Sequence, residues 1–227
     1  PKAITPTPEQ AAEMRHGYLA NVSYLDAQVA KVLKAVDDHG LREKTVVVFV
    51  ADHGYHVGEH GLWGKTSNFE RDARVPLIVA TPGMATAGQT TAALVELVDL
   101  FPTLADVCGL TPPAGLAGVS LAPVLADPAK GVKGAAFTQH PRPAYFDRTP
   151  TGVPDAMGYS VRTAAGRYTE WRAWATGEVV GVEFYDHARD PDELTNRAEE
   201  MSGSEALVVA RKALHEQFPP GTPPSKR

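Results

Sequence analysis

The sequence predicts an α/β fold in two parts: strand-and-helix layers first, then a small antiparallel sheet with a terminal helix. Three observations predict it. Thr45-Val46-Val47-Val48-Phe49-Val50-Ala51 is a short, β-branched run unbroken by polar residues, and a long helical pattern leads into it. Val75-Pro76-Leu77-Ile78-Val79-Ala80 repeats that texture after a glycine-rich loop. Beyond Gly131-Val132-Lys133-Gly134 the texture changes to short alternating runs, ending in an amphipathic stretch.

In chain order, Thr7-Pro8-Glu9-Gln10 is a helix start: Thr caps, Pro suits the first turn, and Gln completes a capping box. Met14, Tyr18, Val22, Leu25, Val29, Val32, Leu33 and Val36 recur at helical spacing, and Gly40 supplies the stop. That gives one long helix, or two with a kink. The two apolar runs then predict strands buried on both faces, Pro76 being tolerable at the start of the second. Residues 93–108 are helical in pattern, with a break or fresh start at Pro102. Strand-like runs follow at Ala135–Thr138, Gly158–Thr163, Tyr168–Trp174 and Val182–Tyr185, the middle two joined by a hairpin turn at Ala164-Ala165-Gly166. A helix from about Ser204 to Phe218 precedes a proline-rich tail expected to be disordered.

Composition bounds the function. The 227 residues are 43% hydrophobic and 22% charged, ordinary for a globular protein, and fill one large domain or two small ones. A net charge of −5, with no run of Lys or Arg, gives no footprint for nucleic acid. No apolar stretch approaches the roughly 18 residues of a membrane span. One cysteine, Cys108, allows no internal disulfide and leaves the compartment open; at a helix end it reads as a buried structural thiol. The N-terminus shows neither an initiator Met nor a signal pattern, which predicts a fragment or a processed chain.

Chemistry concentrates at Asp52-His53-Gly54, at the carboxyl end of the first strand, where open α/β sheets put their ligands. The glycine lets the chain turn away sharply. An adjacent Asp and His can both reach one cation, but two ligands do not make a site, and Ca²⁺ takes about six to eight. Asp99 and Asp106 lie in helical pattern, and Asp186, Asp190 and Asp192 in a turn-forming loop, so no paired carboxylate completes the set. The plainer reading is an Asp-His pair that caps its loop. Lys65 suits an anionic group as a point charge, although loop lysines are mostly solvated. His56 and His60 fit loop structure better than general acid work.

These residues resemble the sulfatase family of the alkaline phosphatase superfamily. The strand with Asp52-His53-Gly54, then Gly58-Glu59-His60-Gly61, Trp63-Gly64-Lys65 and Arg74-Val75-Pro76-Leu77-Ile78, look like its C-terminal metal-and-lysine segment. Val95–Leu104 is similar to the helix that follows. Gln139-His140-Pro141-Arg142-Pro143, Met157–Thr163, Arg167–Trp171 and Glu183–His187 resemble the iduronate-2-sulfatase branch. The resemblance runs from about Tyr18 to Asn196.

The resemblance implies residues 1–133 as the C-terminal half of an alkaline-phosphatase-like α/β sandwich domain, and 134–227 as a small C-terminal subdomain. It implies hydrolysis of sulfate esters, such as those of sulfated sugars, by a formylglycine made within a Cys/Ser-x-Pro-x-Arg motif and activated by a divalent cation, usually Ca²⁺. Asp52 and His53 fall at metal-ligand positions and Lys65 at the lysine that contacts the sulfate. Arg142 is a candidate for a sugar carboxylate, against a plainer role bracing a proline-rich loop. The chain holds no Cys/Ser-x-Pro-x-Arg segment and no paired aspartates. The expectation is therefore a C-terminal portion whose N-terminal half supplies the nucleophile and the remaining ligands and covers exposed sheet edges; alone it should be inactive. The alternatives are a phosphonate monoester or phosphodiester hydrolase of the same superfamily, and a non-catalytic module for carbohydrate or partner binding.

Overall fold

The computed structural model describes residues 5–144 and 152–224. The first element is a single unkinked helix, α1 (Pro8–Asp38), with Thr7 as N-cap in a full capping box with Gln10, as the sequence predicts. The chain leaves it through Gly40 at φ 62°, a left-handed backbone that glycine adopts without strain. None of its residues is buried. Its apolar stripe is therefore largely open, with Leu19 62% and Val32 65% exposed.

The two apolar runs form β1 (Val47–Val50) and β4 (Leu77–Ala80), paired antiparallel with Val48 opposite Val79. Between them lie the short strands β2 (His56–Val57) and β3 (Trp63–Gly64), which pair with each other, and the turn of helix α2 (Glu70–Ala73). The expectation of strands buried on both faces is not met. Among the described residues β1 and β4 have only each other as sheet neighbours, so Ile78 is 62% exposed. An apolar run signals a need for cover, not the cover itself.

Pro102 marks a fresh helix start. A 3-10 turn over Leu97–Asp99 runs into α3 (Leu100–Val107), and Pro102 sits in the first turn, where its missing N–H costs no helical bond. Cys108 is exposed rather than buried. It continues the outward face of Phe101 and Leu104, whereas Pro102, Thr103 and Ala105 face inward. A short helix α4 (Ala122–Ala126) follows.

The last part is a meander, β5 (Ala135–Arg142), β6 (Ala156–Thr163), β7 (Gly166–Ala173) and β8 (Val179–Asp186), closed by α5 (Glu205–Gln217) with Ser204 as N-cap. Period-2 alternation divides its work. Tyr159, Val161, Tyr168 and Phe184 bury one face against Leu207, Ala210 and Leu214 of α5. The other face carries Gly158, Ser160, Arg167, Thr169 and Trp171, and meets the loop that leads from β3 into α2. The tail is ordered through Pro224, against the expectation of disorder. The carbonyl of Pro219 accepts from Arg172 Nη1 at 3.1 Å, Pro224 is buried, and a Cβ on Gly177 would stand 2.9 Å from Thr222 backbone. Residues 225–227 of that tail lie outside the described residues. No described helix is long and apolar enough to cross a membrane.

Candidate functional site

The site starts where β1 stops. Ala51 N–H makes a last bond to Pro76 O at 3.3 Å, and Asp52 and His53 follow. The Asp52 side chain is 87% exposed and that of His53 34%. His53 Nδ1 lies 2.7 Å from Gly54 O. A carbonyl can only accept, so the neutral ring carries its proton on Nδ1 and keeps a lone pair on Nε2. That Nε2 is 3.5 Å from Asp52 Oδ1 and 2.5 Å from Lys65 Nζ. The structure thus brings three of the four candidate residues together: a carboxylate oxygen, an imidazole lone pair and an ammonium. The donor chemistry fits a divalent cation held between Asp52 and His53, with Lys65 beside it. Two donors fall short of the six to eight that Ca²⁺ takes.

Gly54 is needed for close approach rather than for a turn. Its N–H donates to Asp72 O at 2.8 Å, and a Cβ there would stand 1.8 Å from Arg71 O. Asp72 is buried, and its Oδ2 accepts from Thr66 N at 2.9 Å, Ser67 N at 2.7 Å and Ser67 Oγ at 2.6 Å. Burial pushes the Asp72 pKa up, but the bonds from His56, Ser67 and Thr66 outweigh it and hold the pKa down at about 2. His56 is fully buried, with Nε2 3.1 Å from Ser67 Oγ and 3.4 Å from Asp72 Oδ2. His60 stacks on Phe69 with ring centroids 4.0 Å apart. Both histidines build the loop.

Arg142 goes to another group. Its guanidinium carbon lies 4.0 Å over the Trp171 ring, on the sheet face that meets the loop. Trp171 Nε1 donates to Glu183 at 2.8 Å. A Cβ on Gly158 would stand 2.7 Å from both the Trp171 ring and Asn68 Nδ2, and Asn68 donates to Gly158 O at 3.1 Å. Arg142 over Trp171 and Asn68 of the Lys65 loop thus meet the same face of the sheet, around Gly158.

Sequence reasoning passes over Asp72, Asn68 and Trp171. Four of the five residues in Glu70-Arg71-Asp72-Ala73-Arg74 are charged, and nothing in their spacing shows that one carboxylate folds inward. Glu70, His187 and Glu193 also form a compact acidic cluster with metal-ligand atoms. Arg167 fills it, bonding Glu193 at 2.7 Å and Glu70 at 2.6 Å, so it is an ion-pair network. Asp186 and Asp190 cap turns, accepting from Ala188, Leu194 and Thr195 N–H groups.

Layers joined to a small sheet, with the Asp-His pair at a strand end, define an alkaline-phosphatase-like α/β fold. Solved structures agree. One, described as a complex with its substrate D-glucosamine-2-N,6-O-disulfate, matches 88% of this chain and 39% of its own, with TM-score 0.75 and 27% identity. A phosphonate monoester hydrolase from Silicibacter pomeroyi matches 95% of this chain and 43% of its own, with TM-score 0.79 and 26% identity. The family model "Sulfatase" matches residues 2–110, and "N-sulphoglucosamine sulphohydrolase, C-terminal" matches residues 58–218. The chain belongs to the sulfatase family. Among its relatives, iduronate 2-sulfatase of Mus musculus is 35% identical over 77% of this chain, and arylsulfatase K of Rattus norvegicus 32% identical over 86%. The chain spans 41% and 34% of the length of those two proteins.

Proposed function

We propose that this chain is the C-terminal part of a metal-dependent sulfatase that hydrolyses sulfate esters of sugars, with Asp52 and His53 as metal ligands and Lys65 as the sulfate contact. One observation carries the reading: His53 Nε2 stands between Asp52 Oδ1 and Lys65 Nζ at the end of β1. The relatives at 31–35% identity support sulfate over other esters. A divalent cation such as Ca²⁺, when bound, supplies positive charge facing the sulfuryl oxygens.

The chain's own residues then have defined work. Gly54 O fixes the His53 tautomer and so leaves the Nε2 lone pair free to ligate a metal. Asp52 contributes the charge that makes the pair attractive to a cation. Lys65 would offer an ammonium to the sulfate as a point charge. A formylglycine nucleophile and the other carboxylate ligands come from a segment that precedes this one, since this chain contains no Cys/Ser-x-Pro-x-Arg motif. Residues 1–133 then complete the catalytic domain, and 134–227 form the subdomain that backs its loop. Arg142, held over Trp171 on the loop-facing side of the sheet, pairs with a uronate carboxylate at the mouth of the site.

Asp52→Asn in the protein with its preceding segment is the test. Turnover of a sulfate ester falls by at least about a hundredfold and Ca²⁺ binding weakens; near-wild-type turnover would remove Asp52 from the site. The likeness to a phosphonate monoester hydrolase keeps a second reading, which kcat/KM for a sulfate ester against a phosphonate monoester separates. Binding of a sulfated sugar without turnover of either ester is the result expected of a non-catalytic module.

A further inference from the structure

The geometry assigns Asp72 as the positioning residue that holds the segment carrying Lys65 beside the segment carrying His53, an assignment that rests on the reading of Lys65 as the sulfate contact. Lys65 is exposed and has a long, freely rotating side chain, so its placement depends on its backbone. The residue before it, Gly64, ends β3 opposite His56, so the ladder holds the chain up to Lys65. Beyond Lys65 there is no strand, and restraint there comes from Asp72. Thr66 N–H, Ser67 N–H and the Ser67 hydroxyl all donate to Asp72 Oδ2, at 2.9, 2.7 and 2.6 Å. Bonds to an ionised carboxylate are stronger than neutral ones, and His56, fully buried, closes the knot from water.

The same residue also fixes the other half of the pair. Asp72 O accepts from Gly54 N–H at 2.8 Å, in the residue directly after His53. One residue thus bonds the chain next to His53 through its backbone and the chain next to Lys65 through its side chain. The two reactive groups lie at the ends of separate elements, and Asp72 sets the distance between them. A group that reaches no substrate itself still sets catalysis this way, because a site about 1 Å too loose loses much of its activity.

The test uses two independent arms. In the first, backbone NMR relaxation of this chain is compared between wild type and Asp72→Asn. Order parameters at Lys65–Ser67 are expected to fall from about 0.85 to below about 0.6, with those at Tyr159–Val161 unchanged. Ser67→Ala, which removes one donor of three, should give a smaller fall, and serves if Asp72→Asn does not fold. Unchanged order at 65–67 in a folded variant would overturn the proposal. In the second arm, kcat/KM for a sulfate ester is measured in a double-mutant cycle with the preceding segment present. Asp72→Asn alone is expected to cost about ten- to a hundredfold, with KM raised, and to cost almost nothing further in a Lys65→Ala background. Multiplying losses would show that Asp72 acts on folding generally, not through Lys65. Should wild type turn over no ester, the sulfatase reading fails while the relaxation arm still decides whether Asp72 holds Lys65.

Discussion

Four close contacts fall on a single oxygen of Asp72, and they make that carboxylate hard to protonate. Its pKa drops from an ordinary 3.8 to about 2. A depressed folded pKa gives stability that is present above the unfolded value and lost as pH falls through the folded one. The window here is about pH 4 down to about pH 2, and the difference is worth about 2 kcal/mol. Urea midpoints between pH 6 and pH 2 are expected to fall along that limb in wild type, and the Asp72→Asn variant should lack it. Gly54 makes a sharper prediction at the same scale. With Arg71 O 1.8 Å from the new Cβ, Gly54→Ala should destabilise by about 1–3 kcal/mol or more. Gly181→Ala meets nothing nearer than 3.8 Å and is the control. Equal unfolding midpoints for the two would show that the approach at Gly54 relaxes freely.

Among the elements, the clamp between the α2 turn and the β5–β8 sheet is ionic. Arg167 is buried between Glu193 at 2.7 Å and Glu70 at 2.6 Å, and His187 Nε2 lies 2.7 Å from the same Glu193 oxygen. The Glu70 backbone N–H adds a bond to Glu193 at 2.7 Å. Removing one partner strands a buried charge, so Arg167→Ala is expected to cost about 3–5 kcal/mol in chemical denaturation. A loss below about 1 kcal/mol would mean that water enters and solvates the carboxylates. Elements with local signals were legible in the sequence. Thr7 and Gln10 mark the start of α1, Gly40 its end, Ser204 the start of α5, and Ala164-Ala165-Gly166 the β6–β7 hairpin. Asp52, His53 and Lys65 stand out in the sequence because reactive residues crowd one strand end and its loop, and the fold brings their side chains near one another. Burial was not legible, because it depends on what else packs nearby. The β1 run looks like an interior strand and is half-covered, Cys108 looks like a core thiol and faces out, and Asp72, set among charged neighbours, is buried.

Across the whole molecule, cover is unevenly shared, and that bears on the proposed preceding segment. The sheet and α5 have a true core in Tyr159, Val161, Phe184 and Leu214. The layer that carries Asp52 does not: Leu19 and Tyr24 of α1, Ile78 of β4 and Phe101 of α3 are each 59–68% exposed. A 31-residue helix with no buried residue lacks the tertiary packing from which most helical stability comes. Its described ties are few, chiefly Arg15 Nε to Val57 O at 2.8 Å and the Tyr18–Tyr55 stack at 5.6 Å. Hydrogen exchange on the 227-residue chain is therefore expected to show α1 opening locally at little cost, while β6 and β7 exchange only with global unfolding. With the preceding segment present, α1 and β1 should gain protection, because burying apolar surface is worth about 25 cal/mol per Å². The same comparison extends to chemistry. The 227-residue chain should bind Ca²⁺ weakly and turn over no sulfate ester, and both should appear with the longer protein. Turnover by the short chain alone, or α1 protected as well as β7 without the added segment, would show that the Asp52–His53–Lys65 layer is complete as it stands.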